Sequence, residues 1–291
     1  MNPKNKNIIL TVFTTTSIFL GVTFFAWTVF PYMQMWSLSV GFRKALAGNP
    51  EVLKKAQFPF IGTFSIQPEL RYHFMDQILQ FYADSPNETV KKSLESLVPF
   101  AIDKLSEGLS YDDSAAYFLA LGRAYDLEAD MYPDQTQEFH LKAEVQFKKA
   151  LELYPDNQKT MYVYAINLAH QNKFDDALTM LQQTLAVDPR VAESHYYLGV
   201  ILFYQDNSVN AVSSLENIEY ALDHDMNPLA TFTKAAYQRL LVIFYDRGDL
   251  PHLTTVLSRL VLINPDQAEQ YKKVLDYIKT YNQMPILSLQ G

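Results

Sequence analysis

The chain has 291 residues, 48% of them hydrophobic and 19% charged, with 24 Lys+Arg against 32 Asp+Glu. The absence of cysteine excludes a disulfide framework, a thiolate zinc site and a cysteine nucleophile together. Lys4, Lys6, Arg43 and Lys44 are the only charges before Glu51, so the remainder holds 20 basic and 32 acidic side chains, a net of −12 that disfavours nucleic acid as a partner.

From Asn7 to Phe42 no residue is charged. Within that window Ile8–Phe30 is an apolar run of 23 residues. As a helix it would extend about 34 Å, enough for a hydrocarbon core of about 30 Å. Its seven Ser/Thr hydroxyls can bond to carbonyls one turn back. Trp27, Tyr32 and Trp36 gather toward its far end, where aromatic rings favour the headgroup layer. These features predict an uncleaved transmembrane helix at 8–30 after a short tail at 1–7. A cleaved signal peptide fits less well, because its apolar core is about 7–15 residues and Phe24-Phe25-Ala26-Trp27 offers no small-x-small cleavage site. Lys4 and Lys6 adjoin the run, whereas Arg43 and Lys44 stand thirteen residues beyond Phe30. Proximity therefore expects the tail inside and the bulk of a single-pass protein outside the cytoplasm.

Residues 31–65 read as a juxtamembrane linker with short helices. Trp36, Val40, Phe42 and Leu46 can share an apolar side, with Arg43, Lys44, Lys54 and Lys55 nearby. That side suits either an anionic membrane surface or packing on the first repeat. Two helices, about 66–83 and 86–108, form a leading pair within 66–110.

The remainder is punctuated by Asn49-Pro50, Ser85-Pro86, Tyr154-Pro155, Asp188-Pro189, Asn227-Pro228 and Asn264-Pro265. Five of the six pair an N-cap residue with Pro at a first helical position. Ser85-Pro-Asn-Glu88 adds a capping box. Apolar residues recur at three and four, as in Leu178, Leu181 and Leu185, with no strand-like alternation in competition. The chain is predicted to be all-α.

Pro155 to Pro189 is 34 residues, Pro189 to Pro228 is 39 and Pro228 to Pro265 is 37. Phe118, Leu121, Gly122 and Tyr125, then Ala143, Phe147, Ala150 and Pro155, occupy fixed positions of a helix pair whose connection, Asp126–Lys142, is about nine residues longer than the pattern requires. A second pair offers Met161, Tyr164, Ala165 and Leu168, then Ala177, Leu181 and Pro189. The third gives His195, Leu198, Gly199, Leu202 and Ala211; the fourth gives Tyr237, Leu240, Leu241, Phe244, Leu257, Leu260 and Pro265. This pattern resembles the tetratricopeptide repeat (TPR) family. The resemblance implies a TPR-type α-solenoid: four helix pairs over 111–264, then a capping helix and tail over 265–291.

No constellation in the sequence points to catalysis. The six histidines are scattered, and His195 falls on a family packing position. Asp223–Asn227 starts like a calcium loop but places Pro228 where glycine is needed and Lys234 where the loop ends in Glu. Glu128, Asp130, Asp134 and Glu138 read as a solvated acidic loop. No Gly-rich phosphate loop, GxSxG or HExxH occurs. Neither a cofactor nor a metal is expected, and the chain is not expected to be an enzyme.

The family's inward positions imply a groove for a protein or peptide. It would take Arg123 from the first pair and Tyr162, Ile166 and His170 from the second. Tyr196, Val200 and Tyr204 come from the third, and Gln238, Arg239, Val242 and Tyr245 from the fourth. Family members that bind chaperone tails use Lys and Asn where Tyr162 and Ile166 stand, so that clamp is missing. The layout of one span, a short helix like Phe42–Ala47, Leu53-Lys-Lys-Ala56, Gly62-Thr63, Glu69-Leu-Arg71 and then repeats also resembles the tail of bacterial O-antigen ligase-like proteins. That second resemblance implies an accessory component of a cell-envelope glycan system.

Overall fold

The computed structural model describes residues 30–55, 67–84, 87–109, 113–205, 209–224 and 231–284. The predicted span at 8–30 lies outside these residues apart from Phe30. Among the described residues no helix is long and apolar enough to cross a membrane. The chain divides into two compact units, Met1–Pro155 and Asp156–Gly291. Among the described residues both are helical, without strands.

In the first unit the elements are α1 (Phe30–Leu46), α2 (Glu51–Lys55), α3 (Gln67–Asp84), α4 (Glu88–Glu95), α5 (Val98–Gly108), α6 (Ala115–Met131) and α7 (Thr136–Leu153). The linker is therefore mostly one 17-residue helix, α1, rather than a short helix over Phe42–Ala47. Its buried side is Leu38, Gly41, Phe42 and Ala45; Trp36, expected on the apolar side, is 64% exposed. The Phe42 ring meets Phe74 edge-on at 6.3 Å and Phe81 at 5.4 Å, joining α1 to the core of α3. The stretch expected as one helix over 86–108 is two, α4 and α5, broken at Ser96–Leu97. Pro99 supplies the reason: it has no N–H to return to the Glu95 carbonyl, but fits the first turn of a new helix. Arg71 is buried; its guanidinium donates to the Lys104 carbonyl at 2.8 Å and to Glu107 at 3.3 Å, holding α3 on α5.

The extra residues between Asp126 and Lys142 do not make an enlarged loop. They lengthen α6 and α7 to 17 and 18 residues, with a short 3₁₀ turn, Pro133–Gln135, between them. Glu128 is accordingly helical and 7% exposed, not part of a solvated loop; burial pushes its carboxyl above the ordinary 4.5, partly offset by the charge of Lys142. The neutral form is the one the fold prefers, so its stabilising contribution is complete below about 4.5 and fades as pH rises through the raised value. Glu128→Gln should therefore raise the thermal midpoint at neutral pH and leave it level in acid; a pH series of melting curves on both proteins checks this.

The second unit runs α8 (Gln158–His170), α9 (Phe174–Val187), α10 (Ala192–Gln205), α11 (Ala211–Asp223), α12 (Thr231–Asp246), α13 (Leu250–Ile263), a 3₁₀ turn at Pro265–Gln267 and α14 (Ala268–Tyr281). Consecutive helices pack as pairs, and Leu275 and Ile278 of α14 are buried in the same core as α13.

The X-Pro steps end helices more often than they start them. Tyr132, Tyr154, Asp188 and Asn264 each precede a proline, have φ between −121° and −148°, and donate their N–H to the carbonyl four residues back. A residue before proline avoids the helical region, so the helix stops there. The true N-caps are Asn87, Asn157 and Asp249, whose side chains accept from backbone N–H groups of α4, α8 and α13. Glu88 opens α4 behind Asn87; Ser85 of the expected capping box lies outside the described residues.

Short connections reuse one turn. Asn172 at φ 61° and Gly248 at φ 68° sit in the left-handed region between α8 and α9 and between α12 and α13. The next residue then donates back to the helix, Lys173 to Leu168 at 2.9 Å and Asp249 to Phe244 at 3.0 Å. In two of the pairs a glycine permits close approach, by an aromatic ring in one and by backbone in the other. A Cβ on Gly122 would lie 2.4 Å from the Phe147 ring, and one on Gly199 would lie 2.8 Å from the Ser214 carbonyl.

Candidate functional site

The residues expected to line a groove come, with one exception, from α8, α10 and α12 of the second unit. Tyr162 is half-buried on α8, and its ring stacks on Tyr197 of α10 at 5.4 Å and 23°. Ile166 is half-buried one turn further along, and His170 is exposed at the end of the helix. On α10, Val200 is half-buried and Tyr204 is 55% exposed. On α12, Gln238 and Tyr245 are half-buried, while Val242 and Arg239 are exposed. The Arg239 guanidinium lies 5.5 Å from the centre of the Phe203 ring. Arg239 is the one fixed charge among these positions, so the face is aromatic and apolar with a single cation.

Two of the expected residues have other roles. Tyr196 is only 4% exposed; its hydroxyl is paired with Thr233 Oγ1 of α12 at 3.1 Å, and burial pushes its pKa up. It is a core residue, and its neighbour Tyr197 takes the outward position. The error is one of register: Tyr196–Tyr204 is apolar at nearly every position, so a 3.6-residue period finds no polar side against which to set a face. Arg123 lies on α6 in the first unit, where it is ion-paired with Asp76 of α3.

His195 is half-buried, with Nδ1 2.8 Å from Asn217 Oδ1 and Nε2 2.8 Å from the Pro189 carbonyl. Its ring centre is 4.0 Å from that of Tyr220. These contacts tie α10 to α11 and to the turn before it. Sequence reasoning missed Tyr197, and it missed a polar cluster spanning three helices. Glu219 of α11 accepts from Tyr237 of α12 and from Arg259 of α13, and Arg259 also reaches Asp223 at 3.0 Å. Arg259 stands 40 residues from Glu219 and 36 from Asp223 in the chain, a distance at which no local pattern announces a contact.

Residues 140–198 match the tetratricopeptide repeat family model. The matched stretch runs from within α7 into α10 and contains both members of the Tyr162–Tyr197 stack. Buried Ala143, Phe147, Ala150, Ala165, Ala177 and Leu181 are its packing residues. Solved structures similar to the chain include two TPR proteins. One is the crystal structure of YrrB, a TPR protein with an unusual peptide-binding site, at 16% identity and TM-score 0.44, covering 70% of this chain and 91% of that one. The other is TTC0263, a thermophilic TPR protein of Thermus thermophilus, at 14% identity and TM-score 0.38, covering 78% of this chain and 99% of that one. No curated protein matches. None of these findings carries the resemblance to O-antigen ligase-like proteins.

Proposed function

We propose that this chain is a membrane-anchored tetratricopeptide scaffold that holds a protein or peptide partner against α8, α10 and α12. The observation that carries the proposal is the stacked Tyr162–Tyr197 pair, with exposed Tyr204 about two turns further along α10 and exposed Val242 on α12. Rigid aromatic rings on adjacent helices offer large contact area at little entropic cost, and they suit an extended or helical peptide rather than a charged ligand. The apolar run Ile8–Phe30 supports the anchor, and the Lys4 and Lys6 charges beside it support an extracytoplasmic placement of the helical units. No catalytic role is assigned to the scaffold.

Tyr162→Ala combined with Tyr204→Ala should leave the helical circular dichroism close to that of the parent and abolish partner capture from solubilised membranes. Unchanged capture would remove the face from consideration. Tyr196 is unsuitable for this test, because truncating it opens a cavity and orphans Thr233. Placement is read separately, from protease digestion on intact cells of a tag placed after Gly291.

A further inference from the structure

We infer that the outward side of α1 lies along the headgroup layer of the bilayer and seats the first unit on an anionic membrane surface. The inference rests on the anchor at Ile8–Phe30 proposed above, and adds to it a second, peripheral contact with the same membrane.

Leu38, Gly41, Phe42 and Ala45 turn one side of α1 into the core. At 100° per residue, Met33, Trp36, Val40, Arg43 and Lys44 fall on the opposite side. Trp36 is 64% and Met33 is 44% exposed, and both cations are exposed. Among the described residues neither cation forms an ion pair. The helix contains no acidic residue, although the chain beyond Glu51 is strongly acidic. An exposed tryptophan and methionine in line with two cations match a surface whose outer layer is anionic and whose interior is apolar.

Chain continuity selects the occupant. The 23-residue apolar run Ile8–Phe30 ends at the first residue of α1, so this helix follows directly on the proposed anchor. Pro31 stands in its first turn. Proline has no N–H to donate and suits the first turn of a helix, so its place here favours a helix start that leaves α1 free to turn along the surface. If α1 rose along the membrane normal, Arg43 would stand about 20 Å above Phe30, beyond the headgroups. Lying flat, the whole stripe touches them.

The cysteine-free sequence permits single labels. The full chain carrying Val40→Cys, or Ser106→Cys at an exposed position of α5 as the reference, is given a nitroxide label and reconstituted into vesicles of phosphatidylcholine with phosphatidylglycerol. Collision with oxygen, which concentrates in lipid, is compared with collision with a water-soluble nickel chelate. A several-fold higher oxygen-to-nickel ratio at Val40→Cys than at Ser106→Cys supports the inference. So does its loss when Arg43→Glu and Lys44→Glu are added while the protein still floats with the vesicles. Equal ratios in a protein that floats overturn the surface contact and leave the anchor standing. Failure to float after alkaline extraction overturns both.

Discussion

Phe147→Ala is expected to destabilise the first unit by about 3–5 kcal/mol, the usual cost of truncating a fully buried aromatic side chain. Phe147 is fully buried on α7, and its ring lies against the backbone of Gly122 on α6. The reverse change tests the same contact. An added methyl on Gly122 would sit 2.4 to 2.8 Å from three ring atoms, so Gly122→Ala should cost about 1–3 kcal/mol through overpacking. In a Phe147→Leu background much of that cost should vanish, because the smaller side chain withdraws from the ring positions. Urea unfolding of the full chain, followed by circular dichroism, gives all four corners of the cycle. Strictly additive costs would mean that the two residues do not constrain one another.

Arg259→Ala is expected to cost the second unit about 2–3 kcal/mol, less than the loss of one partner from a fully buried pair because Arg259 and Glu219 each keep about a fifth of their side chain exposed. The guanidinium is held strongly protonated, first by its hydrogen bonds to Glu219 and Asp223. Removing it leaves Glu219 with the Tyr237 hydroxyl, whose own ionisation is pushed far up by burial and by the Glu219 charge. Arg259→Lys should recover only part of the loss, since an ammonium cannot reproduce the two-nitrogen fork. Replacing Glu219 and Arg259 together by Gln and Met should cost less than Arg259→Ala alone, because no buried charge is left unmatched. The same denaturation measurement, read against the first unit as an internal control, separates these outcomes.

The helical repeat was legible because prolines and small residues mark it at similar intervals, Pro155, Pro189, Pro228 and Pro265 standing 34, 39 and 37 residues apart. Gly122, Ala143, Ala150, Ala165, Ala177 and Gly199 are all buried where helices approach closely. What the prolines do was harder to read. An Asn or Asp before proline suits both a helix start and a helix end: the extended φ of Asp188 marks an end, whereas Asn264 both ends α13 and caps the 3₁₀ turn that Pro265 opens. The Ser96–Leu97 break was missed because the hydrophobic pattern continues across it while Pro99 interrupts the hydrogen bonding. Register failed on α10, where Tyr196 and Tyr197 are chemically equal and only the position of Thr233 tells them apart. Glu128 looked solvated because its neighbours in sequence are acidic, yet its neighbours in space are the walls of the α6–α7 pair.

That pair has a further property. Its arms have 17 and 18 residues, where those of α8 to α11 have 13 or 14. Each arm thus exceeds its counterparts by about one turn of 3.6 residues. A helix lengthened by a whole turn keeps its inward stripe aimed as before, whereas one or two residues would swing it through a quarter or half a circle. Length in such a hairpin is effectively quantised, and it must change in both arms together, or Ala129 in the last turn of α6 or Phe139 in the first turn of α7 would face nothing but solvent. A hairpin of this kind can be rescaled in matched turns without altering the surface on which its neighbours dock.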